Sequence, residues 1–177
     1  ASMQALLRVA RPEMQDLADS TGESLVLTCL AGGTRRVLAR HEGGHLVTVN
    51  ARRMDEGDPY SLVTTRVLLA HARPDEVRAF VQECGAPGEA WGGATTADDV
   101  IEVARELRGR RIAEYHPSKE VVAFASPVPV PGGMPVALGL FLPASRFSPD
   151  RSGLIQETLK HAARRISHKL QNNEPEL

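Results

Sequence analysis

The sequence predicts an α+β fold in which helices flank one central antiparallel sheet of six strands. Two observations carry this prediction. Segments with helical caps and helical spacing of apolar residues are separate from short β-compatible segments, which are bounded by glycine or proline. Their order is helix, strands, helices, strands, helix, which is typical of α+β proteins and not of repeated βαβ units. A chain of 177 residues, 42% of them hydrophobic, is long enough to bury one substantial core.

The first predicted helix leads directly into a buried strand. Proline suits the first helical position, so the helix is predicted to begin at Pro12. Apolar residues at helical spacing follow it, and Gly22 fits the left-handed conformation that often ends a helix. Residues 24–30 are apolar at nearly every position, which predicts a strand buried on both faces.

Two further strands complete a predicted three-stranded meander. Residues 35–40 and 46–51 are β-compatible, and each follows a glycine pair, Gly32-Gly33 and Gly43-Gly44 respectively. Glycine pairs are typical of the tight turns that connect antiparallel strands. The first half of the sheet is therefore predicted to consist of consecutive neighbouring strands.

The middle of the chain is predicted to be helical. A helix over residues 58–72 begins with an N-cap aspartate and a first-turn proline, and Pro74 starts another. Residues 85–93 form a loop rich in glycine and proline. Thr96 and Asp99 have the spacing of a capping box, which predicts the start of a third helix.

The chain then returns to strands and ends in a helix. Residues 112–115, 120–125 and 136–142 are short, β-compatible and separated by proline or glycine. Ser148 is a suitable cap for the last helix, which carries a long apolar stripe to Leu170. These three strands bring the predicted total to six.

Several of these segments resemble the effector-binding domain of IclR-type bacterial transcription regulators. The first match is the helix-to-strand junction, with Pro12, Leu17-Ala18 and Thr21-Gly22-Glu23. Further matches follow in the family's order, at residues 68–70 with 74–76, 106–113, 125–128 and 143–148. The resemblance implies a GAF-like α+β sandwich that senses a ligand and has no catalytic residue, no metal and no cofactor.

The resemblance also implies a domain organisation and partners. Residues 12–170 would be the effector-binding domain, 1–11 the end of a linker helix with a cloning remnant at Ala1-Ser2, and 171–177 a flexible tail. The family's winged helix-turn-helix domain, which contacts DNA, is expected to belong to the parent protein and to be absent from this chain. A small-molecule effector and a homodimer or homotetramer are the expected partners, and DNA is expected to be bound only through the absent domain.

Composition excludes several other classes of function. The formal net charge is −1, from 21 basic and 22 acidic residues, so no overall field attracts nucleic acid. The longest apolar run, residues 136–142, is far shorter than a membrane span. Residues 1–10 lack the pattern of a secretory signal, so a cytoplasmic protein is expected. Cys29 and Cys84 lie on apolar faces, which predicts two buried free thiols.

The resemblance places the effector pocket beside the sheet. Its predicted lining is Leu27, Cys29, Val63, Thr64, Arg66, Tyr115, Ala123, Gly139 and Phe141. Thr65 stands where the family has glycine, and Gly139 and Phe141 stand where it often has two hydroxyl side chains. These departures predict a relatively apolar or aromatic effector. Alternatively, the domain has no effector, or Phe141 fills the former pocket. Trp91 is either a lid over the pocket or a packing anchor.

One short motif suggests an enzyme instead. His41-Glu42-Gly43-Gly44-His45 matches the zinc-peptidase pattern His-Glu-x-x-His, which works when a helix places both imidazoles on one face. Two glycines inside a helix would cost about 1 kcal/mol each, and the motif lies between two predicted strands. A hairpin turn is therefore favoured, and a small zinc-dependent hydrolase using His41, Glu42 and His45 is the alternative function.

Overall fold

The computed structural model describes residues 2–110 and 112–172, apart from the side chain of Asp55. Their α-helices are α1 (Met3–Thr21), α2 (Val63–His71), α3 (Pro74–Cys84), α4 (Ala97–Arg108) and α5 (Pro149–Asn172). Their strands are β1 (Ser24–Ala31), β2 (Thr34–His41), β3 (Ala113–Tyr115), β4 (Val121–Pro127) and β5 (Val136–Pro143). The predicted α+β class is confirmed. Ala1 and most of the predicted C-terminal tail lie outside the described residues.

The strands form one antiparallel sheet in the order β2-β1-β5-β4-β3. In the described part of the chain the sheet has five strands, so the prediction of six is wrong. β2 and β3 are its edges, and β2 has a β-bulge opposite Leu27 and Thr28. The bulge and the long first hairpin twist this end of the sheet.

The missing strand is residues 46–51, which form a loop that folds back across the start of β1. The Ser24 hydroxyl donates to the Val49 carbonyl at 2.5 Å, and the Ala51 N–H donates to a Glu42 carboxylate oxygen at 3.1 Å. Val49 and Ala51 are buried. The β-compatible residues 46–51 therefore form a loop and not a strand. Ser24 and Glu42 supply the hydrogen bonds that a neighbouring strand would otherwise make.

The two faces of the sheet carry separate cores. One face packs on α1 and α5 through residues such as Leu27, Phe124 and Leu138. The other packs on α2, α3 and α4 through residues such as Ala123 and Phe141. Because side chains of a strand alternate between faces, a residue's position along its strand decides which core it joins.

Helix α1 begins at Met3 rather than at Pro12. Ser2 caps it by accepting a hydrogen bond from the Ala5 N–H at 3.1 Å, and Pro12 lies inside the helix. An internal proline removes one helical hydrogen bond. Leu6 and Ala10 are fully buried in the core, and this packing offsets the loss. Residues 3–11 of the segment that was expected to be the end of a linker helix are thus the first turns of α1, and Leu6, Val9 and Ala10 belong to the first core.

The predicted helix over residues 58–72 is also interrupted. A 3₁₀ turn spans Pro59–Ser61, Leu62 is extended, and α2 begins at Val63. The turn directs Tyr60 inward, where its hydroxyl donates to the Gly85 carbonyl at 2.5 Å. Burial raises the pKa of Tyr60 to about 12, so the hydroxyl remains a donor at neutral pH.

A buried carboxylate joins the first and last helices. Glu13 of α1 accepts hydrogen bonds from Arg165 at 2.7 Å and from Lys169 at 2.6 Å, both on α5. Burial alone would raise the pKa of Glu13, but the hydrogen bonds and positive charges of Lys169 and Arg165 outweigh it and hold the pKa below its ordinary value of 4.5. The carboxylate is therefore charged throughout the neutral range.

We expect Glu13→Gln to lower the free energy of unfolding by about 1–3 kcal/mol at pH 7, because it weakens two charge-assisted hydrogen bonds to half-exposed partners. A lowered folded-state pKa stabilises the fold above the unfolded-state value. That contribution is lost as pH falls through the folded-state pKa. Urea unfolding between pH 7 and acid should therefore show the wild type losing its advantage below pH 4.5.

The surface variant Glu102→Gln is the control for this measurement. Glu102 pairs with Arg105 on an exposed face of α4, so its change should remain within about 0.5 kcal/mol. Equal losses for the two variants, or a Glu13→Gln loss that is independent of pH, would contradict the assignment.

Candidate functional site

Most of the predicted pocket residues come together between α2 and the sheet. Tyr115, Ala123 and Phe141 are cross-strand neighbours on β3, β4 and β5. They share the face that packs on α2, where Val63 and Thr64 lie over them in the same core.

The space directly beneath α2 is filled. A Cβ at Gly139 would lie 2.8 Å from the Thr64 Cγ2 and 3.0 Å from the Val26 Cγ1. The Thr64 hydroxyl accepts a hydrogen bond from Arg35 at 2.8 Å, and Phe141 is 3% exposed. Thr64 therefore occupies the volume above Gly139. This packing favours the alternative in which side chains, including Phe141, fill the family's pocket position.

Leu27 and Cys29 do not join this site. Both side chains lie in the core between the sheet and helices α1 and α5, on the opposite face from α2, so their assignment to the pocket is corrected. Burial raises the pKa of the Cys29 thiol, which makes it an unreactive core residue. Cys84 lies at the end of α3 and is exposed, so the prediction that it is buried is wrong.

An open cavity lies beside the filled region, bounded by α2, the end of α4, β3 and α5. Its volume is about 300 Å³, within the range of small-ligand pockets. Its lining residues are Arg66, Val67, Ala70, His71, Leu107, Arg110, Ile112, Ala113, Glu114, Tyr115 and Gln156. Arg66 and Tyr115 connect it to the predicted site. The cavity is therefore displaced along α2 from the predicted pocket.

The cavity combines an apolar wall with a small number of charges. Val67, Ala70 and Leu107 supply apolar surface, while Arg66 and Arg110 supply positive charge. The Glu114 carboxylate is already engaged, by His116 at 2.9 Å and by Ser152 at 3.2 Å.

His71 adds a polar group to the cavity without adding charge. Desolvation of its imidazole and the nearby Arg108 guanidinium lower the pKa of His71, so the ring is neutral at pH 7. Two positive side chains and one negative side chain thus give the lining a net positive charge. Such a lining suits a ligand with an apolar body and an anionic group.

Arg66 lines the cavity and lies between two aromatic groups. Its guanidinium carbon is 4.7 Å from the centre of the Tyr115 ring and 5.3 Å from that of Trp91, both within cation–π distance. Its Nε atom is buried and makes no hydrogen bond to the described residues. The guanidinium is therefore held by aromatic faces and not by a carboxylate.

Trp91 is a packing anchor. It is 3% exposed, its indole N–H donates to the Tyr60 carbonyl at 3.0 Å, and its ring meets the Tyr60 ring edge-on at 5.6 Å. The anchor fixes the loop between α3 and α4, which Gly88 and Ala94 close through a backbone bridge.

The sequence did not indicate the far wall of the cavity. This wall is formed at the ends of α4 and α2, by Leu107, Arg110 and His71. The capping residues in the sequence predicted only where these helices begin or end. The available signal was the pair Arg110-Arg111 in the family's turn into a strand, which places Arg110 shortly before the start of β3. It could not show that the end of α4 brings Arg110 to the same cavity as Arg66.

The His-Glu-x-x-His motif does not form a metal site. His41 ends β2, and the motif continues into the loop across β1 instead of forming a helix. The Glu42 carboxylate is engaged by Ala51 and Ser24, and the His45 Nε2 lies 3.2 Å from the Thr21 carbonyl oxygen. Within the described residues, no group of three or more His, Cys, Asp or Glu side chains could hold a metal ion.

The structure therefore gives no support to a zinc hydrolase that uses His41, Glu42 and His45. The predicted hairpin turn is also wrong, because no strand follows the glycine pair. Gly43 is nonetheless constrained, since a Cβ there would lie 2.2 Å from the Gly22 carbonyl oxygen. The glycines thus allow the loop to pass close to the end of α1.

No helix among the described residues is long and apolar enough to cross a membrane.

Comparison with known proteins relates the whole domain to one family. The family described as "Bacterial transcriptional regulator IclR C-terminal" matches residues 1–168. No curated protein sequence matches the chain.

Solved structures of bacterial regulators share the fold. A transcriptional regulator from Rhodococcus sp. RHA1 has a TM-score of 0.73 at 23% identity, over 94% of this chain and 68% of that chain. The C-terminal domain of E. coli KdgR has a TM-score of 0.71 at 23% identity, over 94% of this chain and 98% of that one. An IclR homolog from Microbacterium hydrocarbonoxydans, complexed with 4-hydroxybenzoate, has a TM-score of 0.72 at 19% identity, over 98% of this chain and 71% of that chain.

Proposed function

The chain belongs to the family of C-terminal domains of IclR bacterial transcriptional regulators, and from this premise we propose that it is the ligand-sensing and oligomerising domain of such a regulator. It binds a small, relatively apolar or aromatic effector, and binding modulates how an N-terminal domain reads DNA. Effector and operator sites are then coupled through a change in domain arrangement. The family is one of regulators, and we expect no catalytic activity from this domain.

The observation that carries the proposal is the cavity beside α2. It is large enough for a small aromatic molecule, and Val67, Ala70, Leu107 and Ile112 give it an apolar wall. A neighbour with the same fold is complexed with 4-hydroxybenzoate, which combines an aromatic ring with a carboxylate. Because the region above Gly139 is filled, we assign the effector to the displaced cavity.

The remaining parts of the proposal concern the complete regulator. Its DNA contacts belong to a winged helix-turn-helix domain. The ligand-sensing domain described above joins copies of the protein into a homodimer or homotetramer in the cytoplasm. Support comes from the near-neutral charge of the chain, which provides no general attraction for DNA, and from the family assignment.

Calorimetry and thermal unfolding with a panel of small acids test effector binding. Aromatic and branched aliphatic acids should bind and raise the unfolding temperature, since a ligand at about 100 times its Kd adds about 2.7 kcal/mol of stability. Glyoxylate and pyruvate should bind more weakly, because they leave the apolar wall uncovered. Tight binding of those two acids alone would contradict the proposed effector class.

A cavity-filling variant locates the binding site. Leu107→Trp introduces a large side chain at the cavity wall and should abolish binding while the domain remains folded. Leu154→Trp makes the same change at an exposed position on α5 and should bind normally. Unchanged binding by Leu107→Trp would place the effector elsewhere.

A further inference from the structure

We propose that Arg66 recognises a single anionic group on the effector and transmits its presence to the Trp91 loop. The Trp91 loop is residues 85–94, between α3 and α4. This inference rests on the proposed function, since it concerns the cavity assigned above. It adds the charge of the ligand, the residue that binds the charged group, and the segment that responds to ligand binding.

The electrostatics of the cavity favour one anionic group. Arg66 and Arg110 are positive and Glu114 is negative, and the Glu114 oxygens are already hydrogen-bonded to His116 and Ser152. Glu114 is therefore not the partner of Arg66. One ligand carboxylate would balance the net charge of the lining while its apolar body covers Val67 and Leu107.

Arg66 is half-buried and has no acidic partner among the described residues. It forms no ion pair with the described residues, and its buried Nε has no hydrogen-bond acceptor among them. Buried donors are nearly always paired, and a guanidinium binds a carboxylate through two parallel hydrogen bonds. A carboxylate in the cavity would complete this group, whereas a neutral amide could accept only weaker hydrogen bonds from it.

The same side chain also contacts Trp91. The guanidinium now lies against both the Tyr115 ring, which lines the cavity, and the Trp91 ring, which does not. Charge-assisted hydrogen bonds are stronger than a cation–π contact at a partly exposed site. A bound carboxylate therefore draws the guanidinium toward the cavity and removes positive charge from the Trp91 face.

The Trp91 loop is suited to respond to this change. Gly85, Gly88, Gly92 and Gly93 all have positive φ, so its path depends on glycine conformations. Besides its contact with Arg66, Trp91 is held by the hydrogen bond to Tyr60 and by packing in the second core. Loss of the cation alters the environment of Trp91 and loosens the loop without unfolding it.

Trp91 is the single tryptophan of the chain and provides a direct readout. Cyclohexanecarboxylate is the probe, because it carries one carboxylate on an apolar body and does not absorb where tryptophan is excited. Cyclohexanecarboxamide is its neutral counterpart. Binding is measured by calorimetry and the response by Trp91 emission and by amide hydrogen exchange over residues 85–94.

We expect the carboxylate to bind at least about tenfold more tightly than the amide and to change Trp91 emission with the midpoint found by calorimetry. Arg66→Gln should weaken carboxylate binding by about tenfold or more, remove its preference over the amide and abolish the emission change. Arg66→Lys, which retains the charge without the planar fork, should recover part of the affinity. Arg105→Gln, at an exposed arginine on α4, should behave as wild type.

Each contrary outcome would refute one part of the proposal. Equal binding of acid and amide, or wild-type binding by folded Arg66→Gln, would refute Arg66 as the anion-recognising residue while leaving the effector cavity intact. Binding without a change in Trp91 emission or loop exchange would refute the coupling. Failure of the carboxylate to bind even at millimolar concentration would refute the anionic class, and the Leu107→Trp experiment with the wider acid panel would then test the proposed function separately.

Discussion

Replacing Arg146 with leucine should lower the free energy of unfolding by about 2–4 kcal/mol, among the largest effects of any single substitution in this domain. Arg146 donates two hydrogen bonds of 2.8 Å to the two carboxylate oxygens of Glu23. The Glu23 side chain is 1% exposed, whereas that of Arg146 is 23% exposed. Removing the arginine therefore leaves a buried carboxylate without its charged partner, with the His45 Nε2 3.9 Å from the nearer Glu23 oxygen.

Urea unfolding of three variants tests this result. Arg52→Leu makes the same replacement at an exposed arginine that lies 4.0 Å from Glu56 and should change stability by less than about 0.5 kcal/mol. The double variant Glu23→Leu/Arg146→Leu removes both charges and should regain most of the loss, since paired apolar groups can replace a buried ion pair. If Arg146→Leu were no worse than Arg52→Leu, the pair would not stabilise the fold.

Gly139→Ser should destabilise the domain by about 1–3 kcal/mol, although it would restore a hydroxyl residue that the family often has on this strand. The new Cβ would lie 2.8 Å from the Thr64 Cγ2 and 3.0 Å from the Val26 Cγ1, closer than ordinary packing permits. Chemical denaturation measures the loss directly. Thr64→Ala in the same chain should recover part of it, because the closest contact is then removed.

Gly153→Ser is the matched control for this substitution. Gly153 lies in α5 with open space around the position of a Cβ, so serine should leave stability unchanged or raise it slightly. Additive losses in Gly139→Ser and Thr64→Ala would contradict the proposed steric conflict. Recovery in the double variant would show that the Thr64 side chain is what excludes a larger residue at position 139.

The fold class could be predicted because caps and apolar spacing are local properties. Four of the predicted helix starts or ends, at Gly22, Pro74, Thr96 and Ser148, agree closely with the structure. Pro12 and residues 46–51 were misjudged because long-range contacts decide them. The first turns of α1 are held in the core by Leu6 and Ala10, and the loop across β1 is fixed by Ser24 and Glu42. Neither contact is visible in a short window of sequence.

The candidate site was only partly predictable for a similar reason. Arg66 and Tyr115 could be identified as lining residues, but Leu27 and Cys29 were assigned without regard to the face of β1 on which they lie. Because side chains alternate along a strand, Leu27 and Cys29 lie in the core with α1 and α5, whereas Val26 lies in the core with α2. The wall formed by the end of α4 depends on helix packing, which spacing alone does not determine.

Two motifs recognised separately in the sequence are joined in space. Glu23 belongs to the Thr-Gly-Glu junction after α1, and Arg146 belongs to the Pro-Ala-x-Arg-Phe segment after β5. Their ion pair connects residues 123 positions apart. This contact therefore connects the end of the first helix to the start of the last.

The outer edge of the sheet limits how copies of this protein can associate. An exposed edge strand can pair with the edge of another chain and start a continuous intermolecular sheet. β2 carries Arg35, Arg36 and Arg40 along this edge and is distorted by its bulge. Two such edges brought together would place like charges side by side on mismatched backbones. Pairing of two β2 edges is therefore disfavoured, which opposes growth of a continuous intermolecular sheet from this side of the domain.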